Sequence, residues 1–152
     1  MINNVQELVD GLTDRNDTNA YQCLKELVAE SENSDAVYAY FPRFAEMLGD
    51  ASSYIRTRGI LLIAANAKWD RDNKIDEVID DYLTHISDDK PITARQTIKA
   101  LPTIAKYKPE LRADISQALR KANPHIYKST MQPLITKDIQ EALKDIEKLI
   151  QS

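Results

Sequence analysis

The stretch YIRTRGILLIAANAKW, residues 54–69, decides the fold of this 152-residue chain. Between Gly59 and Ala67 it carries no charge and a single polar side chain, Asn66. A helix that is apolar on nearly every side is stable in water only when other helices cover it. The stretch therefore predicts the central helix of an all-helical domain.

The composition favours helix along the rest of the chain as well. Glycine occurs only three times, whereas residues that favour helix, such as Ala, Leu, Glu and Lys, are frequent. The length fits about one domain with a single core. We therefore expect one all-α domain over residues 1–152, with about seven or eight antiparallel helices.

Apolar residues at helical spacing, separated by polar turns, Gly and Pro, divide the chain into units. An N-terminal helix is predicted within residues 1–16, and the units that follow cover 17–35, 36–69, 74–107 and 109–152. The third helix is expected over residues 36–48. The predicted caps and first-turn residues of the helices are Asn4, Asp17 or Thr18, Asp35, Pro91, Pro109 and Pro133.

Segments that lie 38 residues apart carry similar residues. This shift places the apolar residues of the third helix over those of residues 78–86, Asp50 over Asp88, and Trp69 over Tyr107. A period in this range is typical of stacked helix pairs. The chain is therefore predicted to form a solenoid of such pairs.

The units that repeat with this period resemble the HEAT-repeat family. The repeats of that family carry a Pro in the first helix, an Asp about eight residues later and a Val-Arg pair at the start of the second helix. The matching residues are Pro42, Asp50 and Ile55-Arg56 in one unit, and Asp89 and Ala94-Arg95 in the next. Only the first of the two matching units has the Pro, because Asp81 stands at that position in the second. The resemblance implies a right-handed α-α superhelix of the HEAT or armadillo type. It also implies that the Asp and Arg residues, including Arg56, form structural polar links.

The whole chain is also similar to small bacterial single-domain HEAT-like proteins of unknown function. The stretches RTRGILLIAANAKWD and KPITARQ carry this similarity. Some members of that group have an iron–sulfur assembly label, so an accessory role in that process is one alternative function. Iron–sulfur clusters are usually held by several Cys thiolates, however, and this chain has only Cys23.

Charge is unevenly distributed along the chain. Residues 1–50 carry three basic and ten acidic side chains, a net charge of −7, whereas residues 90–128 carry nine basic and two acidic ones, a net charge of +7. Residues 51–89 and 129–152 have net charges of −3 and −1. One end of the predicted solenoid is therefore acidic, and its third quarter is basic.

The basic block predicts a partner-binding surface on the second helices of the pairs, residues 53–69, 91–107 and 130–150, which line the concave surface in HEAT repeats. Arg95, Lys99 and Lys106 lie within about 40° on a helical wheel. Such a stripe suits an acidic peptide, a phosphate-bearing ligand or nucleic acid, and a merely solvated helix face is the alternative. The predicted partner-binding residues are Arg58, Asn66, Trp69, Arg95, Gln96, Lys99, Thr103 and Lys106.

Motifs for catalysis and for metal binding are absent from the sequence. There is no GxSxG, no HExxH and no glycine-rich phosphate loop. His85 and His125 have no Cys or His companion at metal-ligand spacing. We therefore expect no enzymatic activity, no cofactor and no metal. The single Cys and the acidic N-terminus, unlike a secretory signal, predict a cytoplasmic protein without a membrane segment.

These observations favour a non-catalytic helical-repeat scaffold that binds a protein or an acidic peptide. One competing hypothesis is a nucleic-acid-binding protein, because some HEAT-type proteins are DNA glycosylases for alkylated bases. Another is a homodimer in which the two solenoid ends, the first helix and the last, dock on each other. Steep salt dependence of binding would indicate nucleic acid.

Overall fold

The structure, a computed structural model, describes residues 4–151. Within this range it contains eight α-helices and no β-strand, so the predicted all-α class is confirmed. The helices are α1 (Val5–Gly11), α2 (Asp17–Asn33), α3 (Phe41–Met47), α4 (Ser53–Ala65), α5 (Lys74–Thr84), α6 (Pro91–Tyr107), α7 (Arg112–Lys121) and α8 (Gln132–Gln151). Five 3₁₀ turns lie between them, at Tyr38–Tyr40, Ala67–Trp69, His85–Ser87, Pro109–Leu111 and Pro124–Ile126.

Two helices begin later than the sequence pattern predicts. The stretch expected as one helix over 36–48 is a 3₁₀ turn followed by α3. The reason is Pro42, which has no N–H to bond the carbonyl of Tyr38, so that carbonyl accepts from Phe41 in 3₁₀ geometry. Similarly, Pro109 opens a 3₁₀ turn, and α7 begins only at Arg112.

The helix caps agree with the sequence in part. Asn4 caps α1, because its side chain accepts a hydrogen bond from the N–H of Gln6 over 2.7 Å. Pro91 and Pro133 lie in the first turns of α6 and α8, as predicted. The cap of α2 is Asn16 instead of the predicted Asp17 or Thr18. An Asn side chain is as good an N-cap as Asp, so composition alone did not decide between neighbouring positions.

The helical packing divides the chain into two compact units. One comprises the described residues up to Ile75, with α1 to α4, and the other begins at Asp76 and contains α6 to α8. The division falls in the first turn of α5. Among the described residues, no helix has both the length and the apolar character that crossing a membrane requires.

The first unit is built around α4, the helix that the sequence placed at the centre. Ile60, Leu62 and Ile63 are fully buried. Gly59 allows α3 and α4 to approach closely, because a Cβ at this position would lie 2.8 Å from both the Phe44 carbonyl oxygen and the Met47 Cβ. The absence of a side chain at residue 59 is therefore a packing requirement.

In the same unit, α2 and α4 run parallel. Arg58 on α4 reaches Asp17 at the start of α2, with 3.2 Å between Nη2 and Oδ1. Asn66, which caps the other end of α4, donates through Nδ2 to the Ser31 hydroxyl near the end of α2, also over 3.2 Å. Because these contacts follow the same order along both helices, the two helices point in the same direction.

The second unit repeats this arrangement with α6 and α8. The Tyr127 hydroxyl, before α8, donates to the carbonyl oxygen of Asp88, before α6, over 2.5 Å. Further along, Arg95 of α6 pairs with Asp138 of α8. Within each unit, then, two helices run in the same direction, α2 with α4 and α6 with α8, and this packing is compatible with a helical superhelix. The core of this unit consists mainly of Ile98, Leu101, Ile104, Ile115, Leu119, Ile135, Ile139 and Ile146.

The turns before α4 and α6 have the same local structure. Asp50 Oδ1 accepts from the N–H of Ser52 over 2.8 Å, and Asp88 Oδ1 accepts from the N–H of Lys90 over 2.9 Å. Asp88 therefore holds the position that the motif spacing predicted for Asp89, and it lies 38 residues after Asp50. In the first of these turns, Arg56 Nη1 donates to the carbonyl oxygens of Asp50 and Ala51 over 3.0 and 3.1 Å.

Candidate partner-binding surface

The exposed side of α6 combines apolar and basic residues. Pro91 occupies the first position of the helix, where its missing N–H costs nothing. From there, apolar side chains at helical spacing bury one side of α6 and leave the other in solvent. We call this solvent-facing side the α6 face; it is formed by Ile92, Gln96, Lys99, Thr103, Lys106 and Tyr107.

No carboxylate opposes the cations of the α6 face from its own helix. The 17 residues of α6 include no Asp or Glu. Among the described residues, Lys99 makes no ion pair, and Lys106 Nζ lies 5.2 Å from the centroid of the Tyr107 ring. A cation over an aromatic ring keeps its full charge. The α6 face therefore presents two ammonium groups to solvent.

Two large apolar side chains accompany these cations. Ile92 is 68 % exposed and Tyr107 is 41 % exposed. Single exposed apolar residues are common on proteins, but here they share a helix face with unpaired cations. Ile92 was missed in the sequence because the apolar stripe was defined by the buried positions of α6. Its wheel position, opposite Ala94 and Leu101, was the signal that could have identified it.

Arg95 has a structural contact of its own. Its Nε donates to Asp138 Oδ2 over 2.6 Å, and its Nη2 donates to Oδ1 over 3.3 Å. The hydrogen bonds that Arg95 donates to Asp138 raise the pKa of Arg95 above its ordinary value, against the opposing effect of burial. Because Asp138 is buried on α8, this forked pair fixes α6 to α8. Arg95 thus supports the α6 face and is not a free cation on it.

Arg58 is not part of an accessible surface, contrary to the sequence prediction. It is only 6 % exposed. Its Nη1 donates to the carbonyl oxygen of Leu12 over 2.9 Å, and its Nη2 pairs with Asp17. Leu12 ends α1, where backbone carbonyls lack helical partners, and the guanidinium satisfies one of them. Arg58 therefore ties α4 to the junction of α1 and α2.

Asn66 also lies inside the first unit, although the sequence predicted it on the surface. It is fully buried and donates through Nδ2 to the Ser31 hydroxyl and, over 2.9 Å, to the carbonyl of Leu62. Trp69 is half-buried, and its indole Nε1 donates to the carbonyl oxygen of Ser31 over 2.7 Å. Both residues therefore hold the end of α2, because a buried polar group needs a partner.

The predicted residues thus separate into two groups. Gln96, Lys99, Thr103 and Lys106 share the α6 face in the second unit, and Arg95 lies beside it in its pair with Asp138. Arg58, Asn66 and Trp69 belong to the first unit, where each is bonded to α1 or α2. The described residues include no group of three or more His, Cys, Asp or Glu side chains that could hold a metal ion.

Two buried polar contacts lie beneath this surface in the second unit. His85 Nδ1 is 2.8 Å from Asp88 Oδ2. Lys108, also buried, pairs with Asp76 over 2.9 Å and with Glu110 over 3.2 Å. Lys108 and Arg95 are thus paired inside the unit, so the basic block of residues 90–128 exposes fewer charges than its composition indicates.

Comparison with known proteins adds no family to this description. No family model matches the chain, and neither a curated protein nor a solved structure matches it. The role of the α6 face is therefore argued from its own residues.

Proposed function

We propose that this protein is a non-catalytic helical-repeat scaffold that binds an acidic segment of a partner protein through the α6 face. The observation that carries the proposal is the exposed side of α6, where Lys99 and Lys106 lie beside Ile92 and Tyr107 without any carboxylate on the same helix. The parallel stacking of second helices within each unit supports the HEAT-like solenoid on which the proposal is based.

In this proposal the cations and the apolar residues have different roles. Lys99 and Lys106 attract and orient acidic groups, which mainly increases the association rate and the selectivity. Ile92 and Tyr107 supply contact area that is removed from water, which mainly slows dissociation. The Arg95 pair with Asp138 keeps α6 in place, so little ordering is required when the partner binds.

The proposal is tested by affinity capture with the full chain. The extract comes from the organism whose genome encodes the protein, and it is used before and after nuclease treatment. The test variant is Lys99→Glu with Lys106→Glu. The matched control is Arg15→Glu with Lys25→Glu, which makes the same charge change at exposed sites of the first unit. A partner protein that is bound after nuclease treatment should be recovered by the control. The affinity of that partner for the test variant should be lower by about tenfold.

Three results would contradict the proposal. Equal recovery by the test variant and the control would mean that the α6 face is only solvated. Loss of all bound material on nuclease treatment, together with a steep decrease in affinity with salt, would indicate a nucleic-acid ligand. Retention of binding by Ile92→Ser would remove the apolar part of the proposed surface.

A further inference from the structure

A groove lies on another side of the second unit, between the end of α7, the 3₁₀ turn Pro124–Ile126 and α8. Its volume is about 410 Å³, within the range of ligand-binding pockets. Leu119, Ile139 and Leu143 provide the apolar part of the lining. The polar part comes from Arg120, His125, Gln132, Thr136 and Gln140.

One wall of the groove is held in place by hydrogen bonds. Gln132 Nε2 donates to the carbonyl oxygen of Tyr127 over 2.9 Å, and Gln132 Oε1 lies 3.1 Å from His125 Nδ1. Because an amide oxygen can only accept, Nδ1 of His125 carries the proton. These two contacts tie the 3₁₀ turn to the first turn of α8. The groove is therefore formed before any ligand binds.

Arg120 is the cation available to a ligand in this groove. It is exposed, and its side chain makes no hydrogen bond or ion pair in the described part of the chain. The residues that line the groove include no Asp or Glu, so no carboxylate of the lining opposes Arg120. The groove is thus complementary to a carboxylate, which a guanidinium binds in a forked geometry.

The apolar lining continues along α8 beyond the groove. Ile150 follows Leu143 by seven residues, which places it on the same helix face, and it is 64 % exposed. From Thr136 to Ile150 this face extends for about 20 Å at 1.5 Å per residue. An elongated occupant fits such a surface better than a compact small molecule.

We propose that this groove is a second binding site, which takes a peptide segment of a partner protein with an apolar side chain next to a carboxylate. The apolar side chain packs on Leu119, Ile139 and Leu143, and the carboxylate accepts hydrogen bonds from Arg120. Gln140 and Thr136 provide further polar contacts for the peptide backbone. The site is independent of the α6 face and does not depend on the function proposed above.

The test uses a random library of 12-residue peptides displayed on phage and selected on the immobilised full chain. Enriched peptides are synthesised with a fluorescent label, and their dissociation constants are measured by anisotropy. We expect sequences with Asp or Glu within two residues of an aliphatic or aromatic residue. Arg120→Gln should raise their dissociation constant by about tenfold or more. Thr136→Trp, which fills the groove, should abolish binding.

Matched variants separate this site from the general charge of the surface. Lys121 is the neighbouring exposed cation and does not line the groove, so Lys121→Gln should change the dissociation constant by less than about twofold. The variant with Lys99→Glu and Lys106→Glu should bind these peptides as the natural chain does. Circular dichroism establishes that each variant is folded.

Four outcomes would overturn the proposal. The first is that no peptide is enriched above background, and the second is that the enriched peptides lack carboxylates. The third is that Lys121→Gln weakens binding as much as Arg120→Gln does, which would mean that only the long-range field of the basic segment matters. Peptides that bind only through Lys99 and Lys106 would support the α6 face and reject the groove.

Discussion

At the scale of single residues, Asp138 is the carboxylate on which the packing of α6 against α8 depends. It is 5 % exposed, and Arg95 balances its charge. A buried charge without its partner is strongly unfavourable, because the protein interior solvates it poorly. The pair therefore adds little net stability, but the loss of one partner would destabilise the fold strongly.

We predict that Arg95→Met lowers the free energy of unfolding by about 3 kcal/mol, because it leaves the Asp138 carboxylate buried without a cation. The double variant Arg95→Met with Asp138→Leu should recover most of that loss, since the two residues are then both apolar. Urea denaturation followed by circular dichroism measures both changes. If the double variant were as unstable as the single one, the pair would not act through charge.

A second residue-scale prediction concerns Tyr127. Burial, followed by the negative charges of Asp88 and Asp89, raises the pKa of its phenol from 10.0 to about 12. In the unfolded chain the phenol loses its proton at lower pH than in the folded chain. The stability that comes from the neutral hydroxyl is therefore complete below pH 10 and is lost as the pH rises through 12.

Tyr127→Phe removes the hydroxyl and its hydrogen bond to the carbonyl of Asp88. The variant should be about 1.5 kcal/mol less stable than the natural chain at pH 8. This difference should shrink progressively above pH 10, because only the natural chain then loses a contribution. Urea denaturation between pH 8 and 11 provides the measurement. A difference that stays constant over this range would show that the phenol ionises equally in both states.

The residue scale is also where sequence reasoning failed most clearly. Arg58 was predicted on the surface because a long basic side chain on a helix usually is. Its partners, the carbonyl of Leu12 and the carboxylate of Asp17, lie more than 40 positions away in sequence. No local pattern encodes such a contact. The groove beside Arg120 was missed for the same reason, since its lining comes from three separate elements.

At the scale of helices, periodic apolar patterns predicted the class and number of elements well. The same patterns did not predict the helix starts at α3 and α7. At both places a proline removes one backbone N–H donor. The helix start then depends on which backbone carbonyls still accept a hydrogen bond. The apolar stretch at α4 correctly predicts a central helix, but no local pattern indicates that Gly59 is needed for its approach to α3.

We predict that Gly59→Ala destabilises the protein, although Ala favours helix by about 1 kcal/mol over Gly. The added methyl group would lie 2.8 Å from the Phe44 carbonyl oxygen, and a backbone atom moves only if α3 moves. Overpacking of this kind usually costs about 1–3 kcal/mol, so a net loss of about 1 kcal/mol is expected. Thermal unfolding measures it.

Gly49→Ala is the matched control for this change. A Cβ at Gly49 would have its nearest neighbour at 3.8 Å, which is ordinary contact. The control should therefore be as stable as the natural chain or slightly more stable. An equal loss in both variants would argue against close packing at Gly59.

At the scale of the whole molecule, the 38-residue period was the most informative feature of the sequence. It predicted the equivalence of Asp50 and Asp88, which hold the same hydrogen bond before α4 and before α6. The charge blocks were less informative, because composition does not show which cations pair with carboxylates inside the protein. Lys108 and Arg95 belong to the basic block, yet both are paired with carboxylates of their own unit.

The two sides of α6 are independent of each other in a way that matters for evolution. The side that faces the core and α8 carries the packing and the Arg95 pair, whereas Ile92, Lys99 and Thr103 lie in solvent. Substitutions at these outer positions leave the interior untouched. Under the proposed function, the residues that select the partner can therefore change without a change of fold, and the same positions are suitable for a designed library of new binders.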